Sequence, residues 1–233
     1  MGLVHSARVV AELAMVTAPS AVELARGRLD RRTIDARVRR FAARVIDILA
    51  IDLRITGGAA VSPRETYVYM SNHQSLLDIP VLYAALPSPT VRMLAKAELF
   101  RIPIWGAALR AAEFVEVDRR DPMRARVALA RAAALVRDGV SIWIAPEGTR
   151  SRDGRVGPLK KGGFHVALAT GAAIVPVAIR GTIDILPRGA GAAVPGRRVD
   201  VHIGDPIPVA GRTVADLRDQ VAGFLATHVE RAS

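Results

Sequence analysis

The sequence predicts an α/β protein: a single domain with a mixed, largely parallel sheet flanked by helices, preceded by N-terminal amphipathic helices. Three observations lead to this expectation. After residue 66, short β-rich runs alternate with helical stretches, the pattern of strands crossed over by helices. Before residue 54 the chain reads as helix. Between the two lies ITGGAAVSPRE (55–65), a break marked by Gly57, Gly58 and Pro63. With 233 residues and 51% of them apolar, the chain can bury the core such a domain requires.

The first helical stretch covers roughly residues 3 to 26. Arg8 and Glu12 interrupt its apolar run, so no secretory signal peptide is expected. The second, ARVRRFAARVIDILAIDL (36–53), is amphipathic. Val38, Phe41, Val45, Ile48 and Leu49 fall on one side, and Arg37, Arg40, Arg44 and Asp47 on another. Neither stretch has the uninterrupted apolar length of a transmembrane span. An apolar stripe beside arginines suits a lipid interface; it equally suits packing on the main domain. The expected division is a helical segment, residues 1–56, and an α/β domain, residues 57–233.

The strand candidates are TYVYM (66–70), VRMLA (91–95), EFVEV (113–117), VSIWIA (140–145), AIVPVAI (173–179) and VDVHI (199–203). Helices are expected at 79–86, 103–112, 122–137, 163–170 and 213–230. Sites in such folds gather at the carboxyl ends of strands, so the residues just beyond each strand are the first candidates for function.

Composition removes several chemistries. There is no cysteine, hence no disulfide, thiolate ligand or cysteine nucleophile. The five histidines are scattered without ligand spacing, so no metal site is expected. A phosphate-binding P-loop, a dinucleotide G-x-G-x-x-G and a G-x-S-x-G elbow are absent. The net charge of +11 suits an acidic partner, whether nucleic acid, anionic lipid or a phosphorylated substrate. Aromatic residues are few and no nucleic-acid motif is present, so no nucleic-acid partner is expected.

TYVYM runs directly into SNHQSLLDIP (71–80). His73 falls at the strand's end. Asp78 precedes Pro80, which suits the first turn of a helix. A carboxylate on one imidazole nitrogen fixes the tautomer and frees the other nitrogen to take a proton. His73 and Asp78 thus read as a base and its orienter; Asp78 also reads as a helix cap. The simplest nucleophile for such a base is a substrate hydroxyl, giving direct acyl transfer. Ser71 and Ser75 are the alternative nucleophiles, as in a serine hydrolase.

VSIWIA is followed by PEGTRSR (146–152). Gly148 allows close backbone approach, Thr149 adds a hydroxyl, and Arg150 offers a planar fork for phosphate. Glu147 suits orienting Arg150 or binding a hydroxyl. Lys160 and Lys161 come next, then Gly162-Gly163 opening a helix. Lys96 and Arg119 stand at two other strand ends. Each alone reads as an exposed cation; together with Arg150 they converge on the strand that carries His73.

Taken together, these residues resemble the glycerolipid acyltransferases of the 1-acylglycerol-3-phosphate (lysophosphatidate) acyltransferase family. The likeness rests on NHQSLLD (72–78), the stretch from Lys96 to VDR (117–119), PEGTRS (146–151) with PLKKGGFHVA (158–167), and IVPVAI (174–179). Ala145 and Glu116 depart from the family's usual residues. The resemblance implies His73 as general base with Asp78 as its partner. It places Lys96, Arg119, Glu147, Gly148, Thr149 and Arg150 around the acceptor's glycerol phosphate. It also implies acyl transfer to the free hydroxyl of 1-acylglycerol-3-phosphate, giving phosphatidic acid in phospholipid synthesis. The donor would be acyl-CoA or acyl-carrier protein, with no cofactor. Residues 1–56 would then associate with membrane lipid, the enzyme being peripheral or monotopic on the cytoplasmic face of the cell membrane. Another lysophospholipid or a lipid-linked sugar is the alternative acceptor. A basic protein that binds anionic lipid or nucleic acid is the non-enzymatic alternative.

Overall fold

The computed structural model describes residues 2–26, 28, 30–102, 105–118 and 120–229. Two helices open the chain, α1 (Gly2–Ala25) and α2 (Arg31–Ile48). α2 begins where the Asp30 carboxylate accepts the Thr33 amide at 2.7 Å, satisfying an otherwise unpaired first-turn donor. It ends at Leu49, and Ala50 turns the chain with a φ of 46°. A strand comes next, β1 (Asp52–Gly57), where the sequence suggested the end of a helix and a loop. β1 is an edge strand whose Asp52, Arg54 and Thr56 are exposed. Charged residues suit such an edge, but they hide the alternation that marks a strand.

Every strand and helix expected after residue 66 is present, with small shifts of boundary. β2 (Val68–Ser71) leads to α3 (Asp78–Ala85) and β3 (Val91–Lys96). A 3-10 turn (Ala97–Arg101) precedes α4 (Trp105–Ala111) and β4 (Val115–Val117). Then come α5 (Pro122–Arg137), β5 (Ser141–Ile144), α6 (Gly162–Thr170) and β6 (Ile174–Arg180). The short α7 (Thr182–Ile185), β7 (Arg198–Ile203) and α8 (Val214–Val229) complete the described chain.

The strands form one seven-stranded sheet in the order β1-β7-β6-β2-β5-β3-β4. β6 and β7 pair antiparallel, and every other neighbouring pair is parallel. The carboxyl ends of β2, β3, β4, β5 and β6 therefore share one edge of the sheet. β2 sits between β5 and β6, so loops after all three strands meet there.

Alternating side chains build a core on each face. Val68, Met70, Ile142 and Ile144 pack with α5, α6 and α8. Tyr69, Trp143, Val175 and Val177 pack with α2, α3 and α4. Both faces are covered, which is why β2 and β5 are buried along their whole length. Gly163 lets α6 lie directly on the sheet: a Cβ there would stand 3.1 Å from Met70 Cε and 3.3 Å from Ile144 Cδ1.

The N-terminal helices cover the α3 and α4 side. α2 packs on α3, and α1 on α2 and α4. Arg92, buried in β3, pairs with Asp35 of α2 at 2.5 Å, and Arg31 pairs with Glu113 at 2.7 Å. The outward positions of α1 are Leu3, Val4, Ala7, Arg8, Val10, Ala11, Ala14, Met15, Ala18, Pro19 and Val22. This exposed face is apolar apart from Arg8. Among the described residues, no helix is long and apolar enough to cross a membrane.

Candidate active site

His73 lies two residues beyond β2. Its Nδ1 is 2.7 Å from Asp78 Oδ2, and Asp78 is fully buried. The same carboxylate oxygen accepts the backbone amides of Gln74 at 2.6 Å and Ser75 at 2.9 Å. Its other oxygen accepts the Thr182 hydroxyl. Asp78 opens α3, but its side chain reaches back into the preceding turn. It therefore shapes the 74–77 turn and orients the imidazole with one group. With Nδ1 engaged, Nε2 is the nitrogen left for the cavity that His73 lines. The His73 ring meets Trp143 edge-on, with centroids 6.0 Å apart.

The PEGTRS loop holds the His73 backbone from both sides. Glu147 Oε1 accepts the His73 amide at 2.8 Å, and the Ser151 amide donates to the His73 carbonyl at 2.7 Å. Glu147 Oε2 accepts the Gly157 amide at 2.8 Å. Glu147 is 6% exposed, and burial pushes its carboxyl above the ordinary value despite these two donors. Both its oxygens face backbone amides, so Glu147 is a brace between two loops. The sequence suggested that it would orient Arg150 or bind a substrate hydroxyl; its oxygens instead accept the His73 and Gly157 amides, and it does not pair with Arg150.

Gly148 takes a φ of 74°, and a Cβ there would stand 2.9 Å from Lys160 Nζ. Both residues line the cavity with His73, Thr149, Arg150 and Lys96. Residues expected around a phosphate, with Lys160 added, thus surround the predicted base. Arg119 lies outside the described residues. Arg188, from the segment after α7, lines the same cavity and was not singled out in the sequence. It sits in no motif; only the proximity of β6 to β2 brings it there. Burial first, and then the charge of Arg188, lower the Arg150 guanidinium from its ordinary value, against the pull of Asp78.

The cavity holds about 400 Å³. A second cavity of about 470 Å³ lies under α1, α2, α3 and α4. The two share Leu76, Ile79, Met93 and Leu99 as walls. The second is lined mainly by apolar side chains, with Arg37 and a few hydroxyl-bearing residues among them. A cationic chamber beside a histidine therefore adjoins an apolar one.

The two candidate serines are otherwise engaged. Ser71 Oγ donates to the Asn72 carbonyl and accepts from Trp143 Nε1, each at 2.8 Å. Ser75 Oγ donates to the Leu186 carbonyl at 2.7 Å and accepts from the Leu77 amide. Both are fully buried. Asn72 pairs its amide group with both backbone groups of Ile179 at 2.8 Å, extending the contact between β2 and β6. The residues flanking His73 in SNHQS thus hold the loop's shape, and His73 faces the cavity.

The chain is similar to several known acyltransferases. A chloroplastic 1-acyl-sn-glycerol-3-phosphate acyltransferase from Brassica napus is 41% identical over 140 residues, covering 60% of this chain and 40% of that protein. The 1-acyl-sn-glycerol-3-phosphate acyltransferase alpha of Homo sapiens is 30% identical over 184 residues, covering 77% of this chain and 64% of that protein. The chain thus spans about two fifths of the plant relative and just under two thirds of the human one. The crystal structure of the 1-acyl-sn-glycerophosphate (LPA) acyltransferase PlsC from Thermotoga maritima superposes with a TM-score of 0.83. It is 27% identical, and the match covers 99% of this chain and 96% of that one. The family model for acyltransferases matches residues 52–180, more than half of the sequence and all of the loops around His73, Glu147 and Arg150, and the chain belongs to the acyltransferase family.

Proposed function

We propose that this protein transfers a fatty acyl group from acyl-CoA or acyl-carrier protein to the free hydroxyl of 1-acylglycerol-3-phosphate, forming phosphatidic acid for phospholipid synthesis. The observation that carries this reading is the His73–Asp78 pair at the wall of a cavity lined by cations. His73 Nε2 takes the proton of the acceptor hydroxyl as its oxygen attacks the thioester carbonyl. Asp78 steadies the imidazolium that results. The C–S bond then breaks, and the imidazolium returns its proton to the leaving thiolate. No acyl-enzyme forms, in keeping with the buried, hydrogen-bonded Ser71 and Ser75.

Lys96, Arg119 and Arg150, with the Gly148 and Thr149 turn, hold the acceptor phosphate. Glu147 acts as a positioning residue through the His73 backbone. The adjoining apolar cavity receives an acyl chain, its apolar walls matching a hydrocarbon. The outward face of α1 rests in the membrane interface, where its valines, leucine and methionine leave water. The enzyme is then peripheral or monotopic on the cytoplasmic face.

The test is a panel of acceptors with purified protein: 1-acylglycerol-3-phosphate, other lysophospholipids and a lipid-linked sugar. Each is offered with CoA and carrier-protein donors, against a His73→Ala control. Thiol release with 1-acylglycerol-3-phosphate, abolished in His73→Ala, is expected. Transfer to another acceptor alone would replace the substrate, and full activity in His73→Ala would remove the mechanism.

A further inference from the structure

The motifs place one arginine, Arg150, in the described cavity wall; the fold adds Arg188. β6 lies beside β2, so the segment after β6 and α7 arrives next to His73. Arg188 Nη1 stands 3.4 Å from the Arg150 carbonyl and 3.5 Å from Thr149 Oγ1. Both separations are long for hydrogen bonds, and the side chain is exposed. Holding the loop is therefore a weak account of its position.

Charge gives a stronger account. Among the described residues, neither Arg150 nor Arg188 forms an ion pair with a carboxylate. Among the described residues, no aspartate or glutamate lines the cavity, whereas Lys96 and Lys160 do. The Arg188 guanidinium stands at the backbone of Arg150 and both side chains line one cavity; two such cations without a counter-ion repel. The lowered Arg150 guanidinium reflects that repulsion in part. An anion between them relieves it, and a doubly charged anion relieves it most. A phosphate monoester carries about 1.5 to 2 negative charges at neutral pH and three terminal oxygens. A phosphodiester offers a single charge and one terminal oxygen fewer.

We propose that Arg188 is a specificity-determining residue: with Arg150 it clamps the terminal phosphate monoester of the acceptor and sets the preference over lysophospholipids whose phosphate is a diester. This inference rests on the acyltransferase reading above. The two guanidinium forks approach the phosphate from different strand ends, Arg150 after β5 and Arg188 after β6. A diester headgroup leaves one of them without its partner oxygen, in a cavity already rich in positive charge.

The test uses the full chain in detergent micelles with acyl-CoA as donor. 1-Acylglycerol-3-phosphate is the acceptor, and lysophosphatidylglycerol, a diester, is the competitor. Competition reads affinity for the diester whether or not it is acylated. Arg188→Ala is expected to raise the KM for the monoester by about 10-fold or more, the loss of one charged hydrogen bond. The inhibition constant of the diester should rise much less, so the preference collapses, and kcat should change less than KM. Arg188→Lys should restore part of the preference through its charge. Arg188→Gln, which keeps most of the stem, replaces Ala if the latter lowers the unfolding midpoint. An unchanged ratio between the two lipids overturns the proposal, as does an equal loss on both or a fall confined to kcat. Wild-type protein inactive with the monoester, or His73→Ala as active as wild type, removes the acyltransferase reading and the proposal with it. Active wild type, inactive His73→Ala and a flat ratio remove the proposal alone.

Discussion

Replacing Asp78 by Asn and by Ala separates the two tasks of its carboxylate. The group accepts the His73 ring nitrogen, the Gln74 and Ser75 amides and the Thr182 hydroxyl, in a site with no exposure. Alanine leaves the two amides without a partner. Each orphaned buried donor costs about 1 to 3 kcal/mol, so Asp78→Ala should lose roughly 2 to 6 kcal/mol. In a domain of this size that lowers the unfolding midpoint by roughly 5 to 20 °C. Asparagine keeps an oxygen where Oδ2 stands and presents its NH2 to the Thr182 hydroxyl, which can turn and accept. Asp78→Asn should therefore keep most of the stability. What it loses is the negative charge beside the imidazolium. A positioned base contributes about 10²- to 10⁴-fold, and kcat should fall within that range. The assay is thiol release at saturating acceptor, alongside thermal unfolding of both variants. A kcat for Asp78→Asn within a few-fold of wild type would refute the orienting role. A wild-type midpoint for Asp78→Ala would refute the structural one.

Four further outcomes are expected. Thr182→Val removes one donor to Asp78 and should cost about 1 to 3 kcal/mol with a lower kcat, whereas Thr182→Ser should recover both, as thermal unfolding and initial rates will register. Gly148→Ala combines a left-handed backbone, a strain of about 1 to 2 kcal/mol, with a Cβ crowding Lys160; a raised acceptor KM with a lower midpoint is the expected result. Glu147→Gln replaces an acceptor with an NH2 opposite the His73 or Gly157 amide. Because the folded Glu147 carboxyl is raised by burial, the folded state binds its proton more tightly than the unfolded chain, and its contribution falls as pH rises from the ordinary value through the folded one. The cost of Glu147→Gln should accordingly shrink from acid toward neutral pH, as paired unfolding curves across that range will reveal. Aspartate at Leu3, Val10 and Met15 together should abolish co-sedimentation with anionic vesicles while leaving the unfolding midpoint near wild type, since all three side chains are exposed.

Much of the candidate site was legible because its residues cluster in sequence. His73 and Asp78 sit within one loop, Gly148 to Arg150 within another, and both loops come directly after apolar runs that read as buried strands. Lys96 was found the same way, by asking what ends each strand. The fold class came from the alternation of those strands with helices. β1 escaped because its exposed, charged residues continue the helical pattern of α2. Glu147 was found, but its two amide contacts were not. A glutamate beside Arg150 suggests a side-chain pair, and nothing local indicates that both oxygens are taken by amides 74 residues upstream and 10 downstream.

By itself, the sequence determined which chemistry was available: a histidine with a carboxylate, a basic glycine turn, no thiol and no serine elbow. Only the tertiary structure decided which residues from elsewhere complete that chemistry. Thr182 reaches Asp78 and Arg188 reaches the Arg150 loop because strand order places β6 beside β2, although more than a hundred residues separate them. Hydrogen bonds and charges act over a few ångströms of space, and the order of strands in a sheet, which no local pattern records, sets what lies within that reach.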